Sequence, residues 1–350
     1  MQNMQCSHRT RYTLRIFYPG GKQPLETSPA EKNSPFYYLF IKISYNGCRE
    51  CLSGHYRAQG DKLVYTIVKK EALTDVTKLM DIEAPHVARN ARAGQFVIVR
   101  IDEYGERIPL TIADYDRAAG TITIIFQELG KSTKQLGKLT PGETLSSFAG
   151  PLGHPTEIRN YGTIVCMGGG VGIAPIYPVT RALKEAGNTV ISIIGARTKN
   201  LLFWEERMMS VSDRLIVCTD DGSHGRAGLV TEPLKELLED KGNSVAKVWA
   251  IGPASMMKFV TLTTKPYAVP TIVSLNTIMI DGTGMCGGCR VLLEEGAKFV
   301  CVDGPEFDGH KVDWDSLLSR LSFYKDEERE AVEYYEHKCR IDGSTKKGRK

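Results

Sequence analysis

Residues 162–175, with the sequence GTIVCMGGGVGIAP, carry the strongest fold signal in this 350-residue chain. A short apolar run with strand character leads into a glycine cluster, and an amphipathic helical pattern follows. The same alternation continues in NTVISIIGAR (188–197), RLIVCTDDG (214–222), VTEPLKELLEDKG (230–242) and KVWAIGP (247–253). Apolar strands that alternate with amphipathic helices predict a parallel sheet covered on both faces, and we assign residues 160–275 to this α/β domain.

The glycine cluster is predicted to bind a dinucleotide, because glycine lets backbone N–H groups approach a diphosphate and the following helix N-terminus adds partial positive charge. The residues concerned are Gly168, Gly169, Gly170, Gly172 and Pro175. Ile173 stands where G-x-G-x-x-G requires its third glycine, which disfavours an ordinary Rossmann dehydrogenase and leaves a merely tight turn as the alternative. Arg197, after the second strand, is compatible with a nucleotide 2′-phosphate or with a solvated loop.

Upstream, residues 63–157 contain short alternating runs such as KLVYTIVKKEAL, GQFVIVRID and GTITIIFQEL, separated by turn signals, which predict an all-β barrel or sandwich. Two polar segments lie in this region: Arg107, Pro109, Leu110 and Thr111, and then Gly130, Lys131, Ser132 and Thr133. An arginine with nearby hydroxyls suits a phosphate, and the second segment offers donors to a diphosphate; ordinary surface chemistry is the alternative. A P-loop is disfavoured because Ile125 stands where its first glycine belongs.

Downstream, residues 276–310 are rich in glycine and cysteine and include DGTGMCGGC (281–289). Asp281, Cys286, Cys289 and Cys301 have the spacing D-x4-C-x2-C-x11-C. Plant-type 2Fe–2S loops use C-x4-C-x2-C and a distant fourth cysteine, so Asp281 stands in the place of the first thiolate and predicts one oxygen ligand with three thiolates. Structural zinc, held by the three cysteines with Asp281 or His310, is the rival interpretation, and three unligated thiols are the third.

Composition narrows the class of protein. A formal net charge of +4 with 25% charged residues indicates neither a disordered polyelectrolyte nor a dedicated nucleic-acid binder. No apolar run approaches the roughly 20 residues of a membrane span. Nine cysteines, without a secretory signal pattern, disfavour a disulfide framework and predict a cytoplasmic location with metal or redox work for some thiols.

The two ends of the chain are less informative. Residues 1–62 mix basic, aromatic and turn residues without a sustained period, and the pair Cys48 and Cys51 lacks a context that supports a metal or redox role. Because the family-like pattern described next begins near Leu63, we hypothesise that translation normally starts there. Residues 311–350 predict a charged helix over 314–338 and a solvated basic tail; the helix is a candidate partner surface, with a plain solvent-facing helix as the alternative.

The motifs RIPLT, GKST, GPLG, GGGVGIAP, GAR, DDGSHGRAG, IGP and DGTGMCGGC occur in an order that resembles the ferredoxin–NADP reductase superfamily. The resemblance covers about residues 63–325. It is closest to the branch that contains the dihydroorotate dehydrogenase electron-transfer subunit, the sulfide dehydrogenase flavin subunit and the small subunit of NADH-dependent ferredoxin:NADP oxidoreductase. The aspartate in place of the first cysteine and the run CVDGPEFDGH resemble the last two. The implied architecture is a β-barrel FAD domain, an α/β parallel-sheet nucleotide domain and a small C-terminal 2Fe–2S module.

The resemblance also implies roles for residues. Arg107, Pro109, Leu110 and Thr111 would contact FAD beside the isoalloxazine, and Gly130, Lys131, Ser132 and Thr133 would hold its diphosphate. The nicotinamide nucleotide would lie against Gly168, Gly169, Gly170, Gly172, Pro175, Arg197, Asp220, Gly222, Gly252 and Pro253. We expect the C-terminal segment or a mobile aromatic residue to cover the flavin until the nucleotide arrives. No catalytic nucleophile is expected, because the cofactor carries the chemistry.

The expected function is an electron-transfer flavoprotein subunit that passes electrons between NAD(P)H, FAD, a 2Fe–2S cluster and a larger partner subunit, with ferredoxin as a further candidate partner. The alternatives are a dihydroorotate dehydrogenase electron-transfer subunit, a stand-alone NAD(P)H reductase with structural zinc, and a metal-binding regulator without enzymatic activity. Neither nucleic acid nor a membrane span enters any of these interpretations.

Overall fold

The computed structural model describes residues 64–240, 242 and 244–347. The hypotheses about the leader and about Cys48 and Cys51 concern residues outside this range. The strands in the first half are β1 (Tyr65–Ala72), β2 (Thr77–Glu83), β3 (Phe96–Arg100), β4 (Ile108–Asp116), β5 (Thr121–Gln127), β6 (Thr144–Leu145) and β7 (Ser147–Leu152). Two short helices accompany them, α1 (Pro85–Asn90) and α2 (Lys131–Leu136).

These strands form one antiparallel sheet in the order β6-β1-β2-β5-β4-β3-β7, which curls into a nearly closed barrel. Successive side chains point to opposite faces of each strand, so every second one points into the barrel. In β5, for example, Ile122 and Ile124 are fully buried in the barrel core with Met80 and Ile82 of the neighbouring strand β2. The barrel predicted for this region is confirmed.

The second half begins with β8 (Thr163–Gly169), α3 (Ile173–Glu185), β9 (Thr189–Ala196), α4 (Glu205–Ser210), β10 (Arg214–Thr219), β11 (Arg226–Ala227), α5 (Thr231–Glu239), β12 (Val245–Ile251), α6 (Ala254–Thr264) and β13 (Thr271–Ser274). Strands β8 to β10, β12 and β13 are parallel neighbours. Strands β8 and β9 are buried along almost their whole length because helices cover both faces of the sheet. The predicted α/β parallel sheet is confirmed.

The C-terminal region contains β14 (Arg290–Leu293), β15 (Gly296–Phe299), α7 (Val300–Asp303), β16 (Glu306–Asp308), α8 (Trp314–Leu321) and α9 (Lys325–Lys347). β14 and β15 form a hairpin. β16 pairs antiparallel with β13 and so extends the sheet of β8 to β13, which we call the nucleotide sheet because the sequence predicts a nucleotide site there. The expected single charged helix is therefore two helices. α8 buries Trp314 and Leu317 against the sheet core, whereas α9 leaves that core and lies against α2.

An ion-pair cluster links the barrel to the nucleotide sheet's helices. Asp114, at the end of β4, accepts hydrogen bonds from Arg181 at 2.8 Å and from Arg207 at 2.9 Å. Both guanidinium groups also lie over the ring of Tyr177. Because Asp114 is mostly buried, these charge-assisted bonds fix the barrel against α3 and α4.

Among the described helices, none combines the length and the apolar character that crossing a membrane requires.

Candidate flavin, nucleotide and cluster sites

The two polar barrel segments are adjacent in space. Arg107 directly precedes β4, residues 108–111 begin that strand, and Gly130 precedes the first turn of α2. Glu106 joins them, because its carboxylate accepts a hydrogen bond from the Ser132 hydroxyl and lies 3.6 Å from the Lys131 ammonium. Thr133 closes the second loop: its Oγ1 accepts from the Gly130 N–H at 3.1 Å. The two segments therefore form one polar wall with cationic and hydroxyl donors.

This wall faces a cavity of about 1020 Å³. All eight barrel residues singled out from the sequence line it, namely Arg107, Pro109, Leu110, Thr111, Gly130, Lys131, Ser132 and Thr133. The opposite side is lined by residues of the nucleotide sheet, including Gly172, Pro175 and Gly252. The cavity thus lies where the barrel meets the carboxyl ends of the parallel strands, which is where open α/β sheets bind ligands.

The individual residues in a third part of the lining were not identified from the sequence, which predicted only that a C-terminal segment or a mobile aromatic residue would cover the flavin. Residues 274–280, which run from the last residue of β13 into the following loop, line the cavity. Leu321, at the end of α8, and Glu327, Glu328 and Ala331, near the start of α9, also line it. The Thr277 hydroxyl is buried and has no hydrogen-bond partner among the residues that the structure describes. An unpaired buried hydroxyl is costly unless a ligand satisfies it. Its position after a parallel strand was the available sequence signal.

The glycine cluster forms the turn from β8 to α3. A Cβ on Gly172 would lie 2.2 Å from the Ile251 carbonyl oxygen and 2.8 Å from the Cα of Gly252. Gly172 therefore permits the close approach of this turn to the end of β12, in addition to the backbone access expected from the sequence. Gly172 lines the cavity, as do Pro175 in α3 and Gly252 after β12.

The remaining predicted nucleotide residues extend along the carboxyl edge of the sheet. Arg197 and Asp220 follow the neighbouring strands β9 and β10, and the Asp220 N–H donates to the Ala196 carbonyl at 3.1 Å. Gly222 lies in the turn after β10, and Pro253 precedes α6. Gly168 and Gly169 end β8, and Gly170 begins the turn to α3. None of these seven residues is part of the described cavity lining.

The cluster loop begins directly after the cavity, at Asp281. Its carboxylate accepts hydrogen bonds from the Thr283 hydroxyl, from the Thr283 N–H at 2.7 Å and from the Cys286 N–H at 3.0 Å. These bonds, the Thr283 hydroxyl first, lower the pKa of Asp281 to about 2. Gly282 permits the tight turn, because its φ of +79° is strained for other residues. The carboxylate is therefore ionised and oriented by its own loop.

The three cysteines differ in their surroundings. The Cys289 and Cys301 sulfurs lie 3.2 Å apart and are buried, whereas Cys286 is exposed. Burial, with the contact to Cys289, raises the pKa of Cys301 to about 12. Within the described residues, no group of three or more potential ligands is already arranged around a metal position. His310, the alternative zinc ligand, instead has its Nε2 3.0 Å from the Thr264 hydroxyl.

The amino-acid sequence matches known protein families in the regions that contain these sites. Residues 276–313 match the model of the iron-sulfur cluster binding domain of dihydroorotate dehydrogenase B, and residues 166–261 match the oxidoreductase NAD-binding domain. The Thermotoga maritima dihydroorotate dehydrogenase B (NAD(+)) electron transfer subunit homolog is 46% identical over 79% of this chain and 97% of its own length. The corresponding subunit of Geobacillus thermodenitrificans is 32% identical over 71% of this chain and 96% of its own.

A solved structure of an oxidoreductase is also similar to this chain in both sequence and fold. A chain of the NADH-dependent reduced ferredoxin-NADP oxidoreductase, solved to give insight into flavin-based electron bifurcation, has 45% sequence identity and a TM-score of 0.74. The match covers 79% of this chain and 99% of that chain. The fold and site thus define an oxidoreductase subunit with an NAD-binding and an iron–sulfur domain. The chain belongs to the family of dihydroorotate dehydrogenase B electron-transfer subunits, which confirms the family resemblance seen in the sequence.

Proposed function

We propose that this chain is the FAD- and iron–sulfur-dependent subunit of an NAD(P)H oxidoreductase that exchanges electrons with a larger partner subunit. One observation carries the proposal. Residues 274–280 line the cavity between the barrel and the nucleotide sheet, and the next residue, Asp281, begins the cluster loop. A flavin in that cavity and a cluster in that loop would be neighbours along an uninterrupted backbone.

The cavity residues fit a flavin dinucleotide. Phe96, Ile108 and Leu110 supply apolar surface for a ring, and Arg107 supplies a cation beside that ring. The loop at 130–133 supplies cationic and hydroxyl donors for a diphosphate. The unpaired Thr277 hydroxyl offers one more polar contact. When bound, FAD would accept one hydride, and with it one pair of electrons, from NAD(P)H and would release the electrons singly to a 2Fe–2S cluster.

We propose that the carboxyl edge of the sheet holds the nicotinamide nucleotide. The residues are those at 168–175, together with Arg197, Asp220, Gly222, Gly252 and Pro253. The shared lining brings this edge to the same cavity as the barrel wall, so the chain's role is to orient the two rings and to exclude water between them. The proposed units are residues 63–157, 160–275, 276–310 and 311–350, with β16 contributed by the cluster segment to the nucleotide sheet.

We propose Asp281, Cys286, Cys289 and Cys301 as the cluster ligands. Three thiols and one ionised carboxylate on a glycine-containing loop are a donor set that suits ferric iron. The partner would dock at this loop, because Met285 is 89% exposed beside the exposed Cys286, and Ile280 and Val302 are exposed apolar residues of the same region. We propose that this partner is a larger oxidoreductase subunit, with ferredoxin as a further candidate. We also propose a cytoplasmic location for the complex.

The residue at position 281 favours the ferredoxin:NADP oxidoreductase type over the dihydroorotate dehydrogenase type, whereas overall sequence identity does not separate them. The oxidoreductase chain is 45% identical and the Thermotoga maritima dihydroorotate dehydrogenase B subunit homolog is 46% identical, against 32% for the Geobacillus subunit. The aspartate at position 281 is the ligand that the resemblance assigns to the first type. The two types separate in the assay of the complex with its co-purified partner, because only one of them uses dihydroorotate.

The decisive experiment is analysis of the anaerobically purified protein. We expect one FAD, two irons and two labile sulfides per chain, a visible spectrum with bands beyond those of flavin, and bleaching of the flavin bands on titration with NADH or NADPH. Yellow protein with zinc and no labile sulfide would favour the stand-alone reductase. Colourless protein without flavin would overturn the proposal.

A further inference from the structure

A second cavity, of about 600 Å³, lies between α2 and α9. Its lining is polar and aromatic and comprises Lys131, Gln135, Glu327, Glu330, Ala331, Tyr334, Tyr335, Lys338 and Cys339. Lys131, Glu327 and Ala331 also line the larger cavity described above. The two spaces therefore meet at the first residue of α2, directly after Gly130.

The position of this junction determines what could enter the second cavity. If the loop at 130–133 holds the diphosphate of FAD, as proposed, the isoalloxazine lies on the side of residues 107–111. The other end of the diphosphate carries the adenosine, and the second cavity opens beside the same loop. FMN has one phosphate and no adenosine, so it would leave this space empty.

The lining chemistry suits a nucleoside. Tyr334 is 68% exposed, and Tyr335 carries the Lys138 ammonium 4.4 Å from its ring centre. Aromatic rings can stack on any nucleobase, because every base has a flat π-face. Glu327 and Glu330 offer carboxylates to ribose hydroxyls, as acidic residues do in dinucleotide folds, and Gln135 offers an amide to the edge of a base.

Contacts with α2 and with the turn that follows it hold α9 in this position. The Lys134 ammonium is paired with the Glu336 carboxylate, and the Lys138 ammonium lies 3.0 Å from the Cys339 sulfur. These contacts lie along the face of α9 that also presents Tyr335. They therefore fix the α9 wall of the second cavity to its α2 wall. From this arrangement we propose that α9 and α2 form an adenosine subsite that selects FAD over FMN, an inference that rests on the proposed flavin function.

The test compares the affinities of FAD and FMN for the full-length protein after removal of its flavin. We expect the wild-type protein to bind FAD at least 10-fold more tightly than FMN. In the double variant Tyr334→Ala/Tyr335→Ala, the Kd for FAD should rise about 10- to 100-fold, as the loss of a base stack predicts, while the Kd for FMN stays unchanged. Tyr334→Phe/Tyr335→Phe keeps the rings and should retain wild-type FAD affinity.

The matched control is Tyr324→Ala, because Tyr324 is 54% exposed in the same C-terminal segment but outside the lining of either cavity. It should leave both affinities unchanged. Equal weakening of FAD and FMN in the double alanine variant would show a structural effect of α9 and overturn the subsite, as would unchanged FAD affinity or equal wild-type affinities. Failure of the wild-type protein to bind either flavin would instead overturn the proposed function.

Discussion

The flavin cavity and the cluster loop are adjacent in the chain but are built in different ways. The cavity wall is supported by buried strands and by hydrogen bonds such as those within the loop at 130–133. In the cluster loop, only Cys289 and Cys301 are together, while Asp281 is satisfied by its own turn and Cys286 is exposed. On the proposed assignment, the fold forms the first site and a bound cluster would complete the second, so loading of the two cofactors should be separable.

The largest effect should follow from removing a buried cluster thiol. Cys289→Ala is expected to abolish iron and labile sulfide, because the other buried sulfur loses its partner, while stoichiometric FAD remains. Metal analysis and flavin extraction measure both. Cys218→Ala, a buried cysteine of β10, is the control and should retain iron. Parallel loss of FAD from the Cys289 variant would contradict separate assembly.

Asp281 sharpens the same comparison with a smaller effect. Asp281→Ala should lose most of the cluster, because an oxygen ligand disappears and the turn loses its acceptor for the Thr283 and Cys286 N–H groups. Flavin reduction by the nucleotide should persist. Asp281→Cys should retain the cluster, since a thiolate is the commoner ligand at this place. Unchanged iron content in the alanine variant would argue against oxygen ligation.

A substitution at Gly172 tests whether close backbone packing supports the cavity between the barrel and the parallel sheet. Gly172→Ala should lower the free energy of unfolding by about 1 to 3 kcal/mol, because its Cβ would meet the backbone of Ile251 and the neighbours must shift. Urea unfolding measures the change. Gly130→Ala is the matched control, since the nearest atom to its Cβ is 4.0 Å away and φ is −95°. Equal destabilisation by both substitutions would show that close approach at position 172 is not the cause.

The smallest expected effect is a pH dependence at the seam between barrel and sheet. Glu306, in β16, accepts a hydrogen bond from Thr156 at 2.6 Å, and burial raises the pKa of its carboxyl from 4.5 to about 7. The folded protein then binds this proton more tightly than the unfolded chain. The free energy of unfolding should therefore fall as pH rises from about 4.5 to about 7, and level off above that.

Glu306→Gln should flatten this slope, which thermal unfolding at pH 5 and at pH 8 would measure. Glu157→Gln is the control, because Glu157 is an exposed carboxylate near the same seam. A pH slope that persists in the Glu306 variant would assign the dependence to other groups.

Local patterns were enough to predict much of this molecule. Strand β8, its glycine turn and α3 could be predicted because apolar periodicity and glycine report on backbone that is formed within a few residues. The loop at 130–133 and the ligand spacing from Asp281 to Cys301 are likewise short-range patterns. Thr277 was missed although it follows a parallel strand. Glu106 and the individual α9 residues at the cavity could not be found in this way, because their relevance depends on residues far away in the chain.

The amino-acid sequence by itself therefore determined the two kinds of sheet, the order of the motifs and the family, since each of these is encoded in local periodicity or spacing. Only the tertiary structure decided that β16 extends the nucleotide sheet, that the C-terminal region bends after Leu321, and that α9 lies against α2. The physical reason is that such contacts depend on packing between distant surfaces, whose complementarity no local pattern records.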